Sequence, residues 1–456
     1  MRRKVESGNP LRTCVNAFGR VAVAGMPRPS SIARRASLLF GTLVALVLLL
    51  PASAGAHAHL LFSSPADGAV VEVAPDEVQL EFGAQVTATV GSIQVFAPDG
   101  SRVDEGAPSP AKGTRVGQPI TATEDGTYGV AYRLSSEDGH VLTDSFTFVV
   151  GEASGGSAAA DDARDAAKVD PTLDTAFSVA RFVELLALLL AAGGGLFACL
   201  IAPTWRPRWL ATALVVLLVA YASGYVLNAA MVRGTGLGDA LGLDALRDVA
   251  DTPFALSLQI RAIIALVALA PALLLRFGPP LGAPARWSLA LIFAGLAASM
   301  SLTGHAVTTD PIELRLPLDM VHVIAAALWM GGLLQLALLA PRAVEHVADV
   351  RRFSRIAFGA VAVLFLTGAY ATWAELGLEP KQLIDSDYGR LIAAKLFLFA
   401  GTIPLAWNNM TTYVPRIERR PDDAPLLLRQ YIWREAFLLV VVLALTVWLI
   451  ATPQPG

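Results

Sequence analysis

Between residues 57 and 150, apolar and polar positions alternate. Val78, Leu80 and Phe82 are separated by Gln79 and Glu81, and Ile93 and Val95 flank Gln94. Tyr128, Val130, Tyr132 and Leu134 keep the same spacing, as do Phe146 and Phe148. A period of two places alternate side chains on one face of a strand. Turn signals divide these runs: Pro65-Ala66-Asp67-Gly68, Pro98-Asp99-Gly100 and Asp125-Gly126. The pattern predicts an antiparallel β-sandwich of about 94 residues, large enough for one small core. The following stretch, 151–172, is rich in Gly, Ala, Ser and Asp and almost devoid of large apolar side chains. It buries too little surface to offset its ordering entropy, which predicts a flexible tether.

From Phe177 onward the pattern changes to long apolar runs, near 177–203, 208–231, 254–275, 287–305, 318–340, 356–374, 389–408 and 433–451. Each is long enough to cross a bilayer as a helix, which needs about 20 residues. A bundle of eight transmembrane helices is therefore expected over 173–452. Alternate loops differ sharply in basic residues. One set carries Arg206, Arg208, Arg276, Arg286, Arg342, Arg351, Arg352, Arg355, Arg416, Arg419, Arg420, Arg429 and Arg434; the other carries Arg233, Arg247, Arg315, Lys381 and Arg390. Basic loops stay inside, so the β domain and the C-terminus are expected outside.

The N-terminus predicts the same side. Arg34-Arg35 precede an apolar run from Leu38 to Leu50, which ends in Pro51-Ala52-Ser53-Ala54-Gly55-Ala56. A basic region, a short apolar core and a small-x-small site describe a secretory signal over 1–56, cleaved after Ala56. The core has about 13 residues, too few to span. Met26 is an alternative start.

Composition agrees with a membrane protein. Of 456 residues, 54% are hydrophobic and only 16% charged, with a formal net charge of -3. Soluble domains carry roughly a quarter charged residues, and the absence of basic clusters excludes a nucleic-acid binder. Two cysteines, Cys14 and Cys199, are too few for a disulfide framework or a thiolate zinc site.

Cleavage after Ala56 creates candidate chemistry. His57-Ala58-His59 becomes the free amino terminus, where an amine and a ring Nδ1 chelate together. Nitrogen ligands in a tetragonal arrangement suit Cu(II). His140, in Ser136-Glu137-Asp138-Gly139-His140, can supply a further imidazole, and Asp138 an oxygen ligand or an orienting group. His59 is a secondary candidate. No methionine occurs between Met26 and Met231, so the domain lacks the soft ligands that favour Cu(I).

The run HAHLLFSSPADGAVV and the later SSEDGHVLTDSFTFVV resemble the CopC copper-binding family. The segments SLTGHAVT, HVIAAALWMGGL, RFSRIAFGAVAVLFLTGAY and YGRLIAAKLFLFAG resemble CopD. Together they span nearly all of the mature chain, as in CopC–CopD fusion proteins. The resemblance implies an immunoglobulin-like or cupredoxin-like sandwich followed by a helical bundle. It also implies a Cu(II) site using His57 with Asp138 and His140, and a role in copper uptake and homeostasis.

Ionisable residues within spans are functional candidates. His305 and His322 close the fourth span and open the fifth, and Asp319 shares a helical face with His322. With Met231, these are the candidate copper entrance. Arg181 and Glu184 share a face of the first span; Arg261 and Lys395 lie deeper. Met300 and Met320 are expected to pack, His346 to be solvated, and Trp329 with Gly331-Gly332 to serve close helix packing. The expected protein captures Cu(II) outside and imports or relays copper through a bacterial plasma membrane. Its expected partners are copper, lipid and a copper acceptor or metallochaperone. No enzymatic activity is expected, and with no GxxxxGK[ST] motif, transport would be passive or driven by an ion gradient. The alternatives are a copper sensor or chaperone without transport, and a membrane electron-transfer protein ligating haem through His305 and His322.

Overall fold

The computed structural model describes residues 60–136, 139, 141–152, 157–303, 311–339, 346–376, 381–419 and 424–450. The expected signal segment, and the candidate ligands His57, His59, Asp138, His140 and His305, lie outside the described residues.

Seven strands form the first domain: β1 (Leu60–Ser64), β2 (Val70–Val71), β3 (Glu77–Thr87), β4 (Ile93–Phe96), β5 (Lys112–Pro119), β6 (Gly126–Ser136) and β7 (Val141–Val150). One layer is β1-β3-β5, the other β4-β6-β7-β2, and they meet where Val86 and Thr87 of β3 pair with Ser136 and Ser135 of β6. All pairings are antiparallel except β2 with β7. The alternating positions point inward as expected: Val78, Leu80, Phe82, Ile93, Val95, Tyr128, Val130, Leu134 and Phe148 share one buried core. Tyr128 stacks on Phe148 with ring centroids 5.3 Å apart, and its hydroxyl donates to the Glu124 carbonyl.

The tether expected over 151–172 is instead partly helical. Helix α1 (Ser157–Ala167) lies on the second face of β6, where Ala159 and Ala163 are buried against Phe96 and Ala131. Gly129 makes this possible, since a methyl group there would lie 2.9 Å from the Ala163 Cβ. Individually small alanines carry little hydrophobic signal, but at i and i+4 they form one face that fits a flat, glycine-bearing strand. Thr143 donates its hydroxyl to the Ala167 carbonyl, and Arg133 Nη2 donates to the Lys168 carbonyl at 2.7 Å.

Eight helices among the described residues are long and apolar enough to cross a membrane. They are α2 (Pro171–Leu200), α3 (Leu210–Arg233), α4 (Pro253–Phe277), α5 (Ala283–Ala298, continued by a 3-10 turn at Ser299–Leu302), α6 (Ile312–Ala326, continued by a π turn at Ala327–Gly331), α7 (Val347–Leu376), α8 (Asp387–Asn408) and α9 (Ala424–Ile450). Caps fix several starts: Asp170 accepts from the Thr172 amide ahead of α2, and Thr252 from the Ala255 amide ahead of α4, each with proline next. Helix α2 is buried along most of its length. Its Gly193 meets Gly331 in the π turn, where a methyl on Gly193 would sit 2.8 Å from the Gly331 Cα. Trp329, buried beside this crossing, packs edge-on against Phe399. The close packing expected of Trp329 and Gly331 is thus present.

His346, expected to be solvated, is half-buried: its Nδ1 lies 2.9 Å from Asp349 Oδ2 and its ring meets Trp205 edge-on. The i, i+3 spacing of His346 and Asp349 at the start of α7 creates the pair.

Candidate functional site

The turn between β6 and β7 carries Gly139 at φ +91, a conformation that favours glycine. Its carbonyl accepts a hydrogen bond from Asn228 Nδ2 of α3 at 2.8 Å, in a buried setting. Its Cα packs on the Phe254 ring at the start of α4. Two residues on, Val141 packs against Ala229, Val232 and Val249. At the end of α3, the Arg133 guanidinium fills the space a side chain at Gly234 would need, and Gly234 caps the helix at φ +63. A cation at a helix C-terminus is favoured by the helix dipole. Burial pushes the Arg133 guanidinium below its usual range. It also raises the Tyr132 phenol, to which the Asp144 charge adds. The β domain is therefore docked on α3 and α4 through the turn that contains Asp138 and His140 in the sequence.

Beneath this contact lies a buried charge network. The Arg181 guanidinium sits over the Phe254 ring, 5.4 Å from its centroid, and its Nη1 donates to Glu184 Oε2 at 2.8 Å. Arg261 Nη1 donates to Glu184 Oε1 at 3.0 Å, and its other nitrogens donate to the Ser299 and Met300 carbonyls and to Thr303. All three charged groups are at least 94% buried. Donors on every side satisfy one carboxylate held between two guanidiniums, which buried ions require.

Arg181 also lines a cavity of about 380 Å³ among α2, α6, α7, α8 and α9. Leucines 185, 188, 189 and 364 with Phe365, Trp329 and Phe399 supply apolar wall, and Arg315, Asp319, His322 and Lys395 supply polar and charged groups. The His322 ring is tied to α7: its Nδ1 lies 2.8 Å from Thr367 Oγ1, which also lies 2.7 Å from the Val363 carbonyl of its own helix.

The candidate residues divide accordingly. Asp319 and His322 line the cavity together, with Met300, which was expected only to pack. Met231 does not line it; it is buried among α2–α4 residues near Asn228. Arg181 and Glu184 are joined as their shared face implies, with Arg261 completing the set. Among the described residues, no three His, Cys, Asp or Glu side chains converge as a metal site. Sequence reasoning missed Thr367, Phe254 and Arg315. Thr367 stands in the RFSRIAFGAVAVLFLTGAY segment, but an isolated threonine in a span carries no signal, because its hydroxyl satisfies itself on its own helix.

Residues 60–151 match the family model for the CopC domain. Residues 172–313 match that for the copper resistance protein D-like N-terminal domain, and 347–449 that for copper resistance protein D. The chain is a CopC–CopD fusion. It is 24% identical over 431 residues to the copper transport protein CutJ of Bacillus subtilis (strain 168), covering 91% of this chain and 78% of that protein. It is 29% identical over 139 residues to copper resistance protein D of Pseudomonas syringae pv. tomato, covering 28% of this chain and 45% of that protein. Two solved structures match its CopC part. CopC from Methylosinus trichosporium OB3b is 26% identical, with 21% of this chain and 93% of that chain covered. PcoC, a methionine-rich copper resistance protein from Escherichia coli, is 29% identical, with 21% and 99% covered. The TM-score is 0.18 for each. The fusion is thus a multi-pass membrane protein of the copper transport and resistance families.

Proposed function

We propose that this fusion protein captures Cu(II) on the outer side of the membrane and passes copper into its helical bundle. The amino terminus of His57, with Asp138 and His140, forms the capturing site, with His59 secondary. Two imidazoles, an amine and a carboxylate fit the cupric preference for nitrogen and oxygen donors. The observation that carries the reading is the docking of Gly139 and Val141, the neighbours of His140, on α3 and α4. A capture domain built only to store copper has no need to bury Gly139 against a membrane bundle. Once released, copper meets the outer end of that bundle, where His305, His322 and Asp319 are the candidate ligands. Met231, buried in the cluster that α3 shares with its neighbours, is a further candidate at this end of α3.

Two measurements test this. Sequencing of the exported protein's N-terminus is expected to start at His57. Cu(II) titration of the full-length protein is expected to show one tight site, weakened at least tenfold in His57→Ala and in His140→Ala. Unchanged affinity in both variants would overturn the capture site. Copper accumulation in cells with and without the gene separates transport from retention. Accumulation independent of the gene would leave only binding.

A further inference from the structure

We propose that Glu435 is a proton-binding site at the inner end of the bundle, through which an inward proton gradient drives copper entry. The proposal rests on the transport reading above for its cargo. Three observations lead to it.

The first is a buried carboxylate without a cation. Glu435 lies near the inner end of the apolar part of α9 and is 4% exposed. Glu184 is held between Arg181 and Arg261, and Asp319 shares the cavity lining with Lys395. The polar partner of Glu435 among the described residues is instead an amide: Asn409 Nδ2 donates to its Oε1. Burial of an ion without an opposite charge is costly, and a bound proton removes that charge.

The second is the state of Asn409. It opens the π turn Asn409–Tyr413 that follows α8, a kind of turn frequent at functional sites. Its Oδ1 is buried with no donor among the described residues. A carboxylic acid and a carboxamide satisfy each other through two bonds: the amide N–H donates to one carboxyl oxygen, and the acid O–H donates to the amide oxygen. The first bond is present. A proton on Glu435 Oε2 supplies the second, whereas the ionised carboxylate leaves Asn409 Oδ1 open.

The third is position. Glu435 stands four residues before Leu439, and Leu439, Val442, Leu443 and Thr446 line the 380 Å³ cavity. These spacings put Glu435 on the same face of α9, one turn nearer the basic loops expected inside. It is thus the ionisable group just beyond the cavity that holds the copper candidates His322 and Asp319. The elements packed on α9 are α8 with its π turn, the short helix Val414–Arg419, α2 and the segment Gly332–Leu339. Their titratable groups toward the inner end are Tyr413, Arg416, Arg419 and Cys199, with Arg434 on α9 itself. Among the described residues, none of these is a hydrogen-bond or ion-pair partner of Glu435.

In each cycle the Glu435 carboxylate accepts one proton arriving through the cavity and releases it to the cytoplasm as copper passes. No electron moves, and copper keeps its oxidation state in this step. The gradient supplies the energy in a chain without a GxxxxGK[ST] motif.

The test uses the full-length protein in proteoliposomes with the membrane potential clamped, copper sulfate outside and a pH-sensitive dye inside. With one proton per copper ion, a gradient of about one pH unit, acid outside, should raise copper accumulation about tenfold. Copper addition should acidify the lumen. Glu435→Gln should abolish both effects while keeping Cu(II) affinity and gradient-independent uptake, and Glu435→Asp should restore part of the coupling. Infrared spectra at neutral pH should show a protonated-carboxyl C=O band that Glu435→Gln removes and Asn409→Leu shifts. Should Glu435→Gln fail to fold, Asn409→Leu and Glu435→Asp carry the test through the band and the gradient response. Uptake indifferent to the gradient in the parent, equal acceleration in Glu435→Gln, or a carboxyl band that neither Glu435 nor Asn409 substitution alters would each overturn the proposal. The infrared arm needs no copper. A parent that moves no copper under any gradient therefore sinks the transport reading and the coupling, while Glu435 is still judged as a proton site.

Discussion

The Asn228 carboxamide donates to the carbonyl of Gly139, 89 residues earlier in the chain, across the boundary between the β domain and the membrane bundle. An amide buried in a span finds its partner in the turn of another domain, so the bond reports docking rather than local helix structure. Asn228→Leu removes the donor and leaves a buried carbonyl unpaired, at a cost of about 1–3 kcal/mol. Hydrogen exchange should quicken at Gly139 and Val141 and stay slow at Leu80 and Val130 in the sheet core. Equal protection at the turn in both proteins would mean the bond contributes nothing to docking.

Gly139 and Gly234 both combine positive φ with a close neighbour, Phe254 and Arg133 respectively. Strain and overpacking add at such positions. Gly139→Val and Gly234→Val should each loosen the domain contact, seen as faster proteolysis between 151 and 170 in membranes. Gly236→Ala, where a Cβ meets open space, is the control expected to behave as the parent.

The Glu184 carboxylate serves two guanidiniums at once. Glu184→Gln leaves Arg181 and Arg261 buried with no opposite charge between them, and removal of one partner from a buried pair costs about 3–5 kcal/mol. Thermal unfolding in detergent should show a clear loss. Replacing the second partner too, as in Glu184→Gln with Arg261→Met, should recover part of it. A double variant no more stable than the single one would argue against charge imbalance as the cause.

Helix α1 packs on the sheet through Ala159 and Ala163, against Phe96, Gly129 and Ala131. Ala163→Asp buries a charge against Ala131 and Phe96 and should detach the helix, raising exchange across 157–167 with the sheet intact. Asp161→Ala, on an exposed side chain paired only with Arg164 of the same helix, should leave exchange across the helix largely unchanged.

Gly193→Leu drives bulk into the crossing with Gly331, where backbones touch. Overpacking of 1–3 kcal/mol or more is expected, on the order seen for cores without slack. Loss of folded protein on size-exclusion in detergent measures it, with Gly295→Ala, in open space, as the neutral comparison.

Patterns with a short period were readable from the chain itself. Alternation at Val78, Leu80 and Phe82 marks one strand face, and uninterrupted apolar runs mark membrane helices, because each depends only on neighbours within a few residues. The eight spans, the two-layer β domain and the shared face of Arg181 and Glu184 follow from that. Contacts between distant segments do not. Alanines 159 and 163 read as tether until Gly129 supplies a surface for them. Thr367 becomes informative only when α7 brings its hydroxyl to within 2.8 Å of His322 Nδ1. Arg261 joins Glu184 from 77 residues away, and Phe254 links the turn at Gly139 to a cavity that five helices enclose. Burial on the second face, side-chain pairing between helices and enclosed volume are properties of assembled surfaces, so they arise only once the chain has closed on itself.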